Sequence, residues 1–68
     1  MPHMPSTVFR RWHYDSDAQT LDVTFTSGRR YRYLEVPEKV AAGLAMAGSK
    51  GSFFNRQIRD IFAFEPAD

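Results

Sequence analysis

The chain has 68 residues, with nine basic side chains against eight acidic ones and no cysteine. A chain of this length builds one small core, and disulfides cannot reinforce it. A formal net charge of +1 singles out neither a polyanion nor a membrane surface, and no apolar run is long enough to span a bilayer.

Residues 1–7 carry Pro2 and Pro5 and no periodic pattern, so they are expected to form a frayed tail. They also lack the basic-then-apolar plan of a secretion signal, which makes a cytoplasmic, reducing location the expectation. From Arg10 to Tyr14 the residues alternate, with Trp12 and Tyr14 on one face and Arg11 and His13 on the other. A period of two predicts a strand. The segment from Asp15 to Gln19 is a polar turn.

Residues 20–26 give the clearest strand, with Leu21, Val23 and Phe25 pointing one way and Asp22 and Thr24 the other. Ser27-Gly28 predicts a tight hairpin, because glycine accepts the positive φ that such turns need. Arg30 to Leu34 alternates again: Tyr31 and Tyr33 fall on the face of Leu21, Val23 and Phe25, and Arg30 and Arg32 on the opposite one. The apolar face of an alternating strand turns inward, so the two tyrosines are expected in the core and the arginines in solvent.

Pro37 suits the start of a helix, and Val40, Leu44 and Ala47 form one helical stripe. Gly48 is placed to end that helix in a left-handed cap, and Ser49 to cap a second helix with Phe54, Ile58 and Ile61 on its inner face. Asn55, Arg56 and Arg59 would share its outer face. The expected fold is α+β: a three-stranded antiparallel meander followed by two short helices packed on one face, β-β-β-α-α. Residues 8–65 would make a single domain.

Three motifs invite a functional reading. Gly43 and Gly48, followed by Ser49 and Lys50, nearly spell a phosphate-binding loop, but Leu44 to Ala47 continue the helical stripe. Their N–H groups are therefore committed to the helix and cannot cradle a phosphate. Asp15 and Asp17 resemble the opening of a calcium loop, yet Thr20 and Thr26 stand where that loop needs glycine and glutamate. His13 belongs to a solvated sheet face, and no spacing forces two carboxylates into one cleft. A non-enzymatic protein without cofactor, metal or small-molecule substrate is expected. The outer sheet face, carrying Arg11, Arg30 and Arg32, suits phosphate contacts better than base reading, and Lys50, Arg56 and Arg59 would form a second basic patch.

With these motifs placed, the sequence resembles the KTSC domain, a small domain named for its occurrence at the C-terminus of some lysyl-tRNA synthetases and also found as free-standing bacterial proteins. The resemblance runs from about Val8 to Phe64. It is carried by Tyr14-Asp15, Leu21 to Phe25, Gly28, Tyr31-Arg32-Tyr33, Val36-Pro37, Leu44, Ser49-Lys50-Gly51, Phe54-Asn55 and Ile58-Arg59. It implies a family with no established activity, for which RNA binding has been proposed. The recurring Tyr14, Tyr31, Tyr33, Pro37, Ser49, Gly51, Phe54, Asn55 and Ile58 are then expected to be structural. Three readings stay open: an RNA- or nucleic-acid-binding module (tRNA or single-stranded RNA), a protein-interaction module, or arginines that only keep an aromatic-rich domain in solution.

Overall fold

Alternation of apolar and polar residues underlies the first three strands of the computed structural model, which describes residues 9–67. These are β1 (Phe9–Asp15), β2 (Thr20–Phe25) and β3 (Arg30–Tyr33), followed by helices α1 (Glu38–Met46) and α2 (Lys50–Gln57). The tail expected over residues 1–7 lies outside the described residues.

The chain then adds a strand that the β-β-β-α-α expectation lacks. β4 (Phe64–Pro66) pairs antiparallel with β3, giving one sheet in the order β1-β2-β3-β4. Leu34 N–H bonds Ala63 O at 2.9 Å and Ala67 N–H bonds Arg30 O at 2.9 Å. Those bonds place Pro66 at an alternate position, where its missing N–H would have faced away from β3. The strand therefore tolerates its proline as an edge strand does.

Turn chemistry fixes the register. Between β1 and β2, Asp15 Oδ1 accepts from the N–H groups of Asp17 (3.0 Å) and Ala18 (3.2 Å), a turn closed by a side chain. Between β2 and β3, Gly28 takes φ +95° and its N–H bonds Phe25 O at 2.9 Å, while Phe25 N–H bonds Arg29 O. That is a three-residue hairpin loop with glycine at its left-handed position.

The core consists of Leu21, Val23, Tyr33, Val36, Ala41, Leu44, Phe54 and Ile58, all buried. Trp12, Tyr14, Phe25 and Tyr31 pack against it from the sheet, half-buried. The helices thus cover the face that the alternation assigned to them. Gly43 earns its place in α1 through proximity: a Cβ there would stand 2.8 Å from the Phe53 ring of α2.

Two helix ends differ from expectation. Gly48 is not left-handed; α1 ends instead at Ala47 in an extended conformation, φ −68° and ψ 140°. α2 stops before Ile58, whose φ −127° and ψ −50° break the helix. Phe54 and Ile58 remain buried, but Ile61 turns out to solvent, 61% exposed, because the chain must double back toward β4. Ser49 caps α2 as expected, its hydroxyl accepting from Ser52 N–H at 3.4 Å.

One polar tie fastens the linker between sheet and helices. Tyr14 Oη donates to Val36 O at 2.6 Å, and Val36 N–H bonds Gln19 O at 2.8 Å. Tyr14→Phe removes the donor and leaves a half-buried carbonyl short of a partner. A loss of about 1 kcal/mol is expected, within the usual range for one hydrogen bond, read as a lower urea midpoint at unchanged slope. An unchanged midpoint would show that water replaces the phenol without penalty.

Candidate functional site

The antiparallel register arranges the outer sheet face in two rows. Arg11, Thr24 and Arg30 stand side by side in one; His13, Asp22, Arg32 and Glu65 form the other. The rows differ in charge balance. Arg32 Nε bonds Asp22 Oδ1 at 2.9 Å, and Arg32 Nη1 lies 4.0 Å from Glu65 Oε2. The hydrogen bond to Asp22, then its charge, raises the Arg32 guanidinium above its ordinary pKa. Such a surface pair contributes little to stability, but it leaves Arg32 engaged with carboxylates. Among the described residues, the row of Arg11 and Arg30 holds no acid.

A bulge enlarges that cationic row. Phe9 pairs with Phe25 while Arg11 pairs with Thr24, so Arg10 is an extra residue in β1. Bulges re-aim side chains, and here Arg10 and Arg11 both reach two adjoining hollows. The first, about 540 Å³, is bounded by Arg10, Arg11 and Trp12 of β1 and by residues 48–51 at the start of α2, including Ser49, Lys50 and the buried Gly51. The second, about 320 Å³, is bounded by Arg10, Arg11, Thr24 and Arg30. Among the described residues, neither lining includes a carboxylate. Lys50 Nζ donates to Ala47 O at 3.4 Å, which holds the ammonium at the mouth of the first hollow.

The basic residues expected from the sequence therefore regroup. Arg11, Arg30 and Lys50 come together, and Arg10, which sequence reasoning passed over, joins them. Arg32 is engaged in its own row. The second patch of Lys50, Arg56 and Arg59 does not assemble: Arg56 is exposed on the last turn of α2 and lines neither of these hollows, and Arg59 lies past the helix end in a different groove.

That groove, about 450 Å³, lies at the β3–β4 side of α2. Its walls are Phe25, Tyr31, Tyr33, Phe54 and Phe64, with Thr26, Ser27, Asn55 and Arg59. The rings are mutually braced, Tyr31 edge-on to Phe64 at 5.4 Å and Tyr33 edge-on to Phe54 at 5.4 Å. Tyr31 thus departs from the expectation of two core tyrosines: Tyr33 is 3% exposed, whereas Tyr31 is half-buried and borders open space.

Burial pushes the Tyr33 phenol above its ordinary pKa; Arg59 pulls it back, and Tyr31 and Asp60 add to the rise. Burial, then Glu38 and Asp15, also raise the Tyr14 phenol. Both groups keep their protons to higher pH in the folded chain than in the unfolded one. Their contribution is complete below the unfolded value of about 10 and is lost as pH rises through and above it. The urea midpoint should therefore hold up to about pH 9.5 and fall above about pH 10, and fall less in Tyr33→Phe; equal declines in both proteins would contradict the assignment.

Among the described residues there is no group of three His, Cys, Asp or Glu placed to hold a metal ion, and no helix long and apolar enough to cross a membrane. The architecture has relatives. The crystal structure of a KTSC domain protein from Yersinia pestis superposes with a TM-score of 0.87 at 31% identity, covering 96% of this chain and 92% of that one. A lysine–tRNA ligase from Nostoc punctiforme is 41% identical over 59 residues; the match covers 87% of this chain and 10% of the ligase. This chain thus corresponds to about a tenth of that relative's length. A protein from Stutzerimonas stutzeri is 42% identical over 53 residues, 78% of this chain and 75% of its own. The family model of the KTSC domain matches residues 5–62, and the chain belongs to that family.

Proposed function

We propose that the domain binds the phosphate backbone of RNA along the strip formed by Arg10, Arg11, Arg30 and Lys50. The observation that carries this reading is the convergence of four cations from β1, β3 and α2 around two hollows with no carboxylate among the described residues that line them. Each guanidinium offers a planar fork that suits phosphate oxygens, and the partial positive charge at the start of α2 acts in the same direction. The likeness to lysine–tRNA ligases, whose name places them on tRNA, supports RNA as the polyanion.

A strip of this kind reads charge and spacing rather than sequence, since phosphate contacts position a chain without identifying its bases. Affinity on the order of 10⁻⁴ to 10⁻⁶ M, typical of non-specific binding, is expected. Trp12 borders the larger hollow and supplies a local reporter. Titration of the chain with single-stranded RNA and with tRNA should change Trp12 fluorescence at low salt and much less at high salt. No binding at low salt overturns the reading.

A further inference from the structure

The aromatic groove shares no lining residue with the cationic strip, yet its lining is chemically specific. Tyr31 and Phe64 border it, and Phe64 is 52% exposed, so ring faces and edges are left to solvent in a core otherwise well covered. Phe25 closes the floor, edge-on to Tyr31 at 5.6 Å. At the rim stand Asn55, half-buried, and Arg59. The Arg29 guanidinium sits 5.7 Å from the centre of the Tyr31 ring. Rings, one amide and one arginine, with no carboxylate among the described residues of the lining, match a flat heterocycle that carries an anionic group.

We propose that this groove takes the base of one unpaired nucleotide, stacked on the exposed Phe64 ring and met edge-on by Tyr31, with Asn55 hydrogen-bonding its edge and Arg59 meeting the adjoining phosphate. The proposal rests on the RNA reading above and adds to it a contact that the cationic strip lacks. Stacking on an aromatic ring tolerates any base, because every base has a π-face; the Asn55 amide, donor and acceptor at once, is the group that can discriminate among them. An apolar protein segment would use the rings but leave Arg59 and Asn55 without a counterpart. A duplex would be excluded, since its bases are already stacked.

The test compares a single-stranded RNA of about eight nucleotides with an abasic ribose-phosphate chain of the same length, a span within the usual footprint of such sites. Both are titrated into the full chain at low salt, with backbone and Asn55 side-chain NMR shifts as readout. The RNA should bind roughly tenfold more tightly than the abasic chain, the value of one stacked base, and should move Asn55 and Phe64 signals that the abasic chain leaves in place. Phe64→Leu, which keeps an apolar side chain against Tyr31 and Tyr33 but removes the ring, should abolish the difference while keeping the affinity for the abasic chain. Asn55→Ala, a second variant, should level any preference among homopolymers and retain the stacking gain.

Equal binding of RNA and abasic chain overturns the base site and leaves the phosphate reading intact. Binding of neither overturns both. If Asn55 and Phe64 signals respond to protein concentration and not to RNA, the groove is a contact between copies of the chain and the proposal falls.

Discussion

Phe54→Ala is expected to leave most of the protein unfolded, or within about 1–2 kcal/mol of it. Phe54 is 1% exposed and sits where α2 meets β2 and β3, edge-on to Phe25 at 5.8 Å and to Tyr33 at 5.4 Å. Removing a buried phenyl ring costs about 3–5 kcal/mol, the sum of lost transfer energy and the cavity left behind. A domain of 68 residues has a total stability of roughly 3–10 kcal/mol. The loss therefore approaches the whole. Phe54→Leu keeps an apolar group in the site and should lose clearly less. Urea or thermal unfolding followed by circular dichroism measures both; a loss under about 1 kcal/mol for the alanine variant, too small for a fully buried ring, would mean that the core closes without Phe54.

The second large effect concerns salt. If four phosphates are met by Arg10, Arg11, Arg30 and Lys50, the logarithm of the RNA association constant should fall with the logarithm of salt at a slope of about −2.8, taking roughly −0.7 per phosphate for single strands. Between about 50 and 200 mM salt, that slope means roughly fiftyfold weaker binding. The triple variant Arg10→Ala, Arg11→Ala, Lys50→Ala should retain a slope near −0.7 and lose less than about threefold over the same range. Arg32→Ala and Arg56→Ala should change the slope little, because Arg32 is held by Asp22 and Glu65 and Arg56 stands apart from the strip. Anisotropy titrations at several salt concentrations give the slopes. Equal slopes for wild type and triple variant would remove the strip from the interface.

Features with a strong local cause could be read from the sequence. Leu21, Val23 and Phe25 announce β2 because each apolar residue is followed by a polar one. Gly28 marks its turn by the φ it alone accepts easily, and Ser49 marks a helix start by its free acceptor. β4 escaped because three residues are too few to show a period, and Pro66 argues against a strand until its place at an outer edge is known. Ile61 continued the helical stripe in sequence, but the spacing of apolar residues says nothing of where the backbone breaks at Ile58.

The candidate site was half legible for the same reason. Arg11, Arg30 and Lys50 were visible as cations on the outer sheet face or at a helix start. Arg10 was not, because one extra residue in a strand moves a side chain without altering composition. The signal was present in Phe9 followed by Trp12, two large apolar residues three apart, which breaks a strict period of two. Nor could Arg32 be told from Arg30 before the register was known. Both alternate identically, and only the cross-strand pairing with Asp22 and the arrival of Glu65 on β4 set them apart.

Pro66 bears on how the folded protein behaves in a crowded solution. A sheet's outer strands are where neighbouring molecules add strands and seed fibrils. Here one border is bent by the extra residue at Arg10, and the other is only three residues long with an imide in place of an outward donor. A bulge and an edge proline are both devices that make a sheet border a poorer template for a neighbouring molecule's strand.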